Sequence, residues 1–319
     1  MDEKILNIFR KNPDNYISGE EISQKLGISR AAIWKHIEKL RQRGYDFAAV
    51  PHLGYRLSAV PDRLFPEEIK FGLDTKIIGQ RIIYYDVIGS TNTKCYELAE
   101  KDYPQGTTVV AEGQTKAKGR LSRPWLSPRY KGIYFSVILK PDILPMQMPK
   151  ITLLAAVSVA SVISKLTRLS ALIRWPNDVL INRRKVCGIL TEMNAEADRV
   201  NFIILGIGIN VITKRSSLPK GATSLFEEGA KDITRAQLLR KLLMELESNY
   251  LLFKKRGFAP IVREWQNFSA ILGSRVKIIS HSEKIEGQAA GIDSEGALIL
   301  RLDNGFQKKI LAGDVELVR

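Results

Sequence analysis

Between Glu112 and Trp125 the chain reads Glu-Gly-Gln-Thr-Lys-Ala-Lys-Gly-Arg-Leu-Ser-Arg-Pro-Trp. Four cations, Lys116, Lys118, Arg120 and Arg123, share this short run with Gly113 and Gly119, and no acidic residue follows Glu112. Such a segment suits a polyanionic ligand. Glycine lets the backbone approach closely, and guanidinium forks match phosphate oxygens. Trp125, directly after it, could stack on a base or pack over an apolar ligand.

Two further segments could work with this loop. In Arg174-Trp-Pro-Asn-Asp178, Pro176 drives its predecessor out of the helical region and presents Asn177 and Asp178 on a rigid turn. Asn can bond an amide or a base edge, and Asp can hold Mg²⁺ or lock a basic partner. In Lys185-Val-Cys-Gly-Ile-Leu190, the lysine opens a strand across a hairpin from Asp178, within reach of a phosphate, where it can neutralise developing charge. Gly188 leaves room above that strand. A fourth feature is the strand Asn201–Val211, with Gly206, Gly208 and Asn210 on one face. That face is a flat shelf ending in an amide. It either receives a planar ring or packs against a helix. Gly206-Ile-Gly208 is no dinucleotide fingerprint, because the third glycine and the following helix are missing.

Three segments would position these residues. Residues 1–60 read as a winged helix-turn-helix. Ser18-Gly-Glu-Glu21 has the form of a capping box, Gly27 sits at the turn, and Ser29 caps a third helix with Ile33, Ile37 and Leu40 at helical spacing. Two strands joined by Pro51-His-Leu-Gly54 follow as the wing. The third helix would enter a major groove, with Ser29, Arg30, Ala32 and Lys35 on it, and His52, Tyr55 and Arg56 on the wing, as the DNA-binding set. Arg41 and Arg43 add basic character. Trp34 is either a core anchor or a DNA contact. A linker marked by Pro61 and Pro66 leads into a mixed α/β segment, 64–268, in which Ser90-Thr-Asn92 lies where a strand turns into a helix, and Thr234 caps a long amphipathic helix. Residues 269–319 are short strands separated by turn signals, Asp293-Ser-Glu-Gly296 and Asp303-Asn-Gly305, which a small β-barrel accommodates.

Composition sets outer bounds. The chain has 319 residues, 45% apolar and 26% charged, and a net charge of +15. These are the proportions of a globular protein with a preference for anionic partners. Cys95 and Cys187 have no CxxC spacing and read as free buried thiols, which fits a reducing cytoplasm. The N-terminus has no signal-like apolar core, and the run from Ile151 to Ile163 is too short and too polar to span a bilayer. No membrane association is expected.

Ser90-Thr-Asn92, Gln114 through Trp125, Arg174–Asp178, Lys185–Leu190 and Gly206-Ile-Gly-Ile-Asn210 occur in the order found in biotin–protein ligases. With the winged-helix start and barrel-like end, the whole chain resembles the bifunctional bacterial form, ligase and biotin operon repressor together. The resemblance implies an α+β architecture: a winged helix-turn-helix, a central domain related to class II aminoacyl-tRNA synthetases, and an SH3-like β-barrel. It also implies a two-step reaction. Biotin and MgATP give biotinyl-5′-adenylate, and a lysine of a biotin carboxyl carrier domain then attacks the mixed anhydride.

Carried over by this resemblance, Ser90, Thr91, Asn92 and Gln114 would meet the biotin head group. Lys118, Gly119 and Arg120 would belong to the closing loop, and Lys185 would bind carboxylate and α-phosphate oxygens. Arg123, Trp125, Asn177 and Asn210 would form the ATP and adenylate set, and Lys185, Arg120, Asp178 and Arg174 the catalytic one. No metal ligand is firmly assigned. Operator DNA, the carrier protein and a homodimer of the adenylate-bound form are the implied partners.

This chain departs from the family pattern at Ala117, Leu121 and Ser122, where Gly or Arg is common, and at Arg174, where lysine is usual. Two other readings follow. One is a ligand-responsive repressor with a catalytically degenerate ligase domain, supported only by the altered loop. The other is a relative acting on lipoate, against which the basic loop ending in Trp125 argues.

Overall fold

The computed structural model describes residues 1–280 and 283–318. Two compact units divide after Phe71.

The first unit opens with α1 (Asp2–Arg10), α2 (Gly19–Leu26) and α3 (Arg30–Gln42). Ser18 and Ser29 cap α2 and α3, each accepting from a backbone N–H three residues on, and Gly27 ends α2 in the left-handed conformation. The capping box is half-made: the Glu21 carboxylate pairs with Lys25 instead of reaching back. Ile5, Leu6, Phe9, Ile22, Ile33, Ile37 and Leu40 form the core. Strands β1 (Asp46–Val50) and β2 (Gly54–Ala59) form the wing, tied to the helices by reciprocal backbone bonds between Ile17 and Tyr55.

A short helix, α4 (Pro66–Lys70), closes this unit. The compact unit runs to Phe71; Leu64, Phe65 and Ile69 are buried, and Phe65 stacks on Tyr45. Polar pairs reinforce that packing: Glu68 pairs with Arg10 and accepts from the Tyr45 hydroxyl, and Glu67 pairs with Arg43.

The second unit is built on a seven-stranded sheet, in order β3-β4-β5-β9-β8-β7-β6. Its members are β3 (Ile82–Ile88), β4 (Thr108–Gln114), β5 (Gly132–Leu139), β6 (Ala171–Arg174), β7 (Asp178–Ile181), β8 (Arg184–Ala195) and β9 (Val200–Asn210). Only β3 and β4 pair in parallel; α5 (Thr91–Glu100) is the crossover between them. Strand β5 is buried along its whole length. The apolar run around Ile151–Ile163 lies in α6 (Met148–Thr167), a core helix. It packs beside α7 (Arg235–Arg256), capped by Thr234 and ended at Gly257, and α8 (Ala259–Phe268).

Strands β10 (Arg275–Ile279), β11 (Lys284–Ile292), β12 (Leu298–Arg301), β13 (Gln307–Ile310) and β14 (Asp314–Leu317) form a separate antiparallel sheet, in order β13-β12-β11-β10-β14. It is the small C-terminal β-domain that the turn signals require, and it belongs to the second compact unit.

Candidate active site

Every residue assigned by resemblance to the ligase site, from Ser90 to Asn210, lines one cleft of ≈ 350 Å³ over a face of the seven-stranded sheet; Lys116 of the cationic loop is not among its lining residues. The DNA set is held separately, in the first unit.

One wall is a chain of hydrogen bonds starting at the N-terminus of α5. The Thr91 backbone N–H and hydroxyl both donate to Gln114 Oε1, at 2.8 and 3.1 Å. Gln114 Nε2 donates to Ser127 Oγ at 3.1 Å. Ser136 Oγ donates to Asn92 Oδ1 at 2.6 Å and lies 2.8 Å from Thr91 Oγ1, and Asn92 Nδ2 donates to Glu192 Oε2 at 2.7 Å. Ser90, Thr91 and Asn92 are buried, with Ser90 Oγ also capping α5. The result is a preorganised polar surface that can receive an amide-like or ureido head group.

Ser127, Ser136 and Glu192 were not singled out from the sequence. Each is a lone polar residue in a strand or loop, and only the sheet register brings them together. Glu192 also stands 3.4 Å from Lys118 Nζ.

The floor is the glycine shelf. Gly188 on β8 pairs with Gly208 on β9, and Gly206 follows on the same face. The ring this shelf receives is that of Trp125. A Cβ on Gly208 would overlap the indole nitrogen, a Cβ on Gly188 would press on its ring carbons, and a Cβ on Gly206 would overlap the Asn92 amide. The shelf has a steric requirement that backbone flexibility does not explain, since none of these glycines has positive φ. Lys185 Nζ lies 5.2 Å from the centre of the Trp125 ring, a cation–π contact. The buried indole N–H has no acceptor among the described residues.

Beside the shelf lie Lys185, Asp178 and Arg174, expected from the sequence to be catalytic. A two-residue turn, Asn182 and Arg183, both with positive φ, joins β7 to β8 and sets Lys185 against Asp178. Asp178 forms two ion pairs: Oδ2 accepts a hydrogen bond from Arg174 at 2.7 Å, and Oδ1 lies 2.5 Å from Lys185 Nζ, a contact by charge without hydrogen-bond geometry. Asp178 thus orients two cations towards the cleft. No cluster of three metal-binding side chains occurs among the described residues. Asn177, on the turn after the cis Trp175–Pro176 bond, donates through Nδ2 to Ile189 O at 2.8 Å and accepts from Arg120 at 3.3 Å through Oδ1. Asn210 is buried and donates to Thr223 O at 3.0 Å, holding the segment 218–222 that forms the cleft's far lip.

The cationic loop crosses the mouth. Leu121 and Ser122 both have left-handed backbones, φ +54 and +56, at two of the positions where the sequence departs from the family pattern. Side chains there cost about 1–2 kcal/mol each, which glycine would avoid. The C-terminal domain holds the loop in this form. Arg120 donates twice to Gly313 O at 3.2 Å, and Arg123 pairs with Asp314 at 2.6 Å. Asp314 therefore lines the cleft, a contribution from a distant part of the chain that no local pattern announced.

In the first unit, Ser29 and Lys35 are exposed on α3, His52 lies at the wing tip, and Ala32 is half-buried. Arg30 is exposed, 4.0 Å from Glu20. Tyr55 and Arg56 follow the wing's turn on β2, opposite Ala49 and Ala48, and both are half-buried; Arg56 lies over Tyr16 at 5.0 Å. Arg41 and Arg43 are not free cations, being paired with Glu38 and with Asp2 and Glu67. Trp34 is no core anchor; its side chain is 54% exposed.

Comparison with known proteins agrees with this division. Residues 84–210 match the biotin/lipoate A/B protein ligase family, residues 2–56 an HTH domain, and residues 271–318 the biotin protein ligase C-terminal domain. The bifunctional ligase/repressor of Bacillus subtilis strain 168 is 43% identical over 317 residues, covering 98% of this chain and 97% of its own. The chain belongs to the bifunctional biotin ligase/repressor family. The Escherichia coli K12 member is 33% identical over 307 residues, covering 94% of this chain and 92% of its own. A biotin protein ligase from Aquifex aeolicus, solved with biotin and ATP, superimposes with a TM-score of 0.64 at 32% identity, over 75% of this chain and 99% of that one. Family membership extends across all three segments, so both the ligase cleft and the helix-turn-helix are family features here.

Proposed function

We propose that this protein is an ATP-dependent biotin–protein ligase that also represses transcription in response to biotin. The observation that carries the reading is the convergence in one cleft of the polar wall at Ser90–Asn92 and Gln114, the Trp125 shelf, and the cations Lys185, Arg120 and Arg174. In the first step the biotin carboxylate attacks the α-phosphorus of ATP and pyrophosphate leaves. Two anions must meet, so the residues act by neutralisation and positioning. Lys185 and Arg120 take the carboxylate and phosphate oxygens, Arg123 the outer phosphates, and Asp178 keeps Lys185 and Arg174 in place. Trp125 covers the adenine, and Asn177 and Asn210 support that side. In the second step a lysine amine of a biotin carboxyl carrier domain attacks the acyl carbon, releasing AMP. No side chain of this protein serves as a nucleophile. Mg²⁺ enters as part of MgATP, coordinated by the nucleotide.

Arg120 and Arg123 are engaged with Gly313 and Asp314, so anion binding competes with, or adds to, these contacts. These shared contacts link ligand occupancy to the conformation of the mouth. Repression follows by linkage: an adenylate-ordered mouth favours a homodimer, and the dimer spans two operator half-sites. A DNA affinity unchanged by biotin plus ATP would overturn this part. Cytoplasmic residence suits these activities and the free thiols of Cys95 and Cys187.

Biotin-dependent exchange of labelled pyrophosphate into ATP is the direct test. Lys185→Ala and Arg120→Ala should each reduce it by about 10²–10³, the cost of removing one preorganised donor to a developing charge. Exchange at the wild-type rate in both variants would overturn the site assignment, and preference for lipoate would overturn the substrate. Biotin binding without exchange by the wild-type protein would favour a repressor with a degenerate ligase domain.

A further inference from the structure

The positive charge of this protein is not where a DNA-binding domain needs it. Residues 1–71 contain 12 Lys and Arg against 10 Asp and Glu, whereas the rest of the chain has 37 against 24. Within the first unit, the cations at the C-terminal half of α3 are already partnered. Lys39 lies 3.2 Å and Arg43 3.5 Å from Asp2, and Arg41 lies 2.6 Å from Glu38. His36 Nδ1 also faces Asp2, at 2.6 Å. What remains on the outer face of the helix is one exposed strip: Arg30, Ala31, Trp34 and Lys35. Ile33, Ile37 and Leu40 occupy the opposite, buried strip, so the helix cannot rotate to hide the indole.

The exposed Trp34 stands between two basic side chains, Arg30 and Lys35, on the outer face of α3. Resting on the operator-binding reading above, we propose that Trp34 reads base edges, its indole packing on the C5-methyl group of a thymine in the major groove. Arg30 and Lys35 flank it at the phosphates. Apolar contact with that methyl is one of the ways T is told from the other bases.

The test starts from duplexes selected from a randomised library by the wild-type protein, with and without biotin plus ATP. On the selected duplex, Trp34→Ala should lose at least about tenfold in affinity. Its binding to a scrambled duplex and its salt slope should stay unchanged, because a base contact and not a phosphate contact is removed. Replacing thymine by uracil, position by position, should cost the wild type about fourfold at one position per half-site, the worth of one buried methyl. The same replacement should cost Trp34→Ala nothing there. Thermal melting checks that the variant is folded.

Three outcomes overturn the proposal: equal affinity of Trp34→Ala and wild type for the selected duplex; a parallel loss on selected and scrambled duplexes with a reduced salt slope; or a weakened homodimer in sedimentation with no loss on DNA, which would make Trp34 a protein contact. Enrichment of no sequence by the wild type overturns the operator-binding reading itself, and the proposal with it.

Discussion

At the scale of single residues, the cleft depends as much on missing side chains as on present ones. Gly188 and Gly208 face each other across β8 and β9 so that an indole can lie flat on the sheet. The two glycines are not equivalent. A methyl on Gly188 meets the Trp125 ring and the Lys185 side chain at 3.0–3.2 Å, which a small shift relieves, whereas one on Gly208 overlaps the indole nitrogen outright. Gly208→Ala should therefore lower pyrophosphate exchange by at least about tenfold and destabilise the fold by the about 1–3 kcal/mol typical of overpacking. Gly188→Ala should be milder on both counts. Parallel kinetics and melting of the two variants check the order; a reversed order would mean that the shelf does not support the indole. The glycine alternation was readable in the sequence. Its occupant was not, because Trp125 and Gly208 lie far apart in the chain and their contact exists only once β4, β5 and β9 have paired.

At the scale of elements, Glu228 holds the far lip of the cleft. Its carboxylate accepts from Asn182 at 2.8 Å and from Arg184 at 2.6 Å, on the β7–β8 turn, and from Thr223 at 2.5 Å, on the segment facing the shelf. Burial pushes this carboxyl up, but Thr223, Asn182 and Arg184 more than offset that and hold it below the ordinary glutamate value of 4.5. A carboxyl with a depressed folded pKa stabilises the fold fully above its unfolded value, and the contribution is lost as pH falls through the folded one. The melting difference between wild type and Glu228→Gln should be largest near neutrality and shrink below pH 4.5. A difference that grows on acidification would contradict the sign. In the sequence Glu228 is one acid in a polar stretch between a strand and a helix; nothing local relates it to the hairpin 46 residues earlier.

At the scale of the whole molecule, the first unit ends at Phe71 because α4 completes its core. Phe65 stacks on Tyr45 there, burial of such a side chain being worth about 1.5–3 kcal/mol, and Arg10, Arg43 and Tyr45 turn towards Glu67 and Glu68. Small domains have only about 0.05–0.15 kcal/mol per residue in hand. A fragment 1–71 should unfold cooperatively in urea, whereas 1–63 should be largely unfolded without denaturant. Equal midpoints for both would place α4 outside the folding unit.

The sequence alone determined the helix-turn-helix, through serine caps, Gly27 and the apolar spacing of α1 to α3, since these signals are local. It also showed short runs of cations, glycines and turn residues suited to an anionic ligand, which only their resemblance to biotin–protein ligases, in order and type, made a ligase. The tertiary structure decided what depends on pairing between distant strands: the Ser136–Asn92–Glu192 wall, the engagement of Asp178 with Lys185 and Arg174, and the hold of Gly313 and Asp314 on Arg120 and Arg123. It also decided which basic residues of α3 are neutralised and that Trp34 faces out. Helical spacing places a side chain on a face, but only packing decides whether that face is covered.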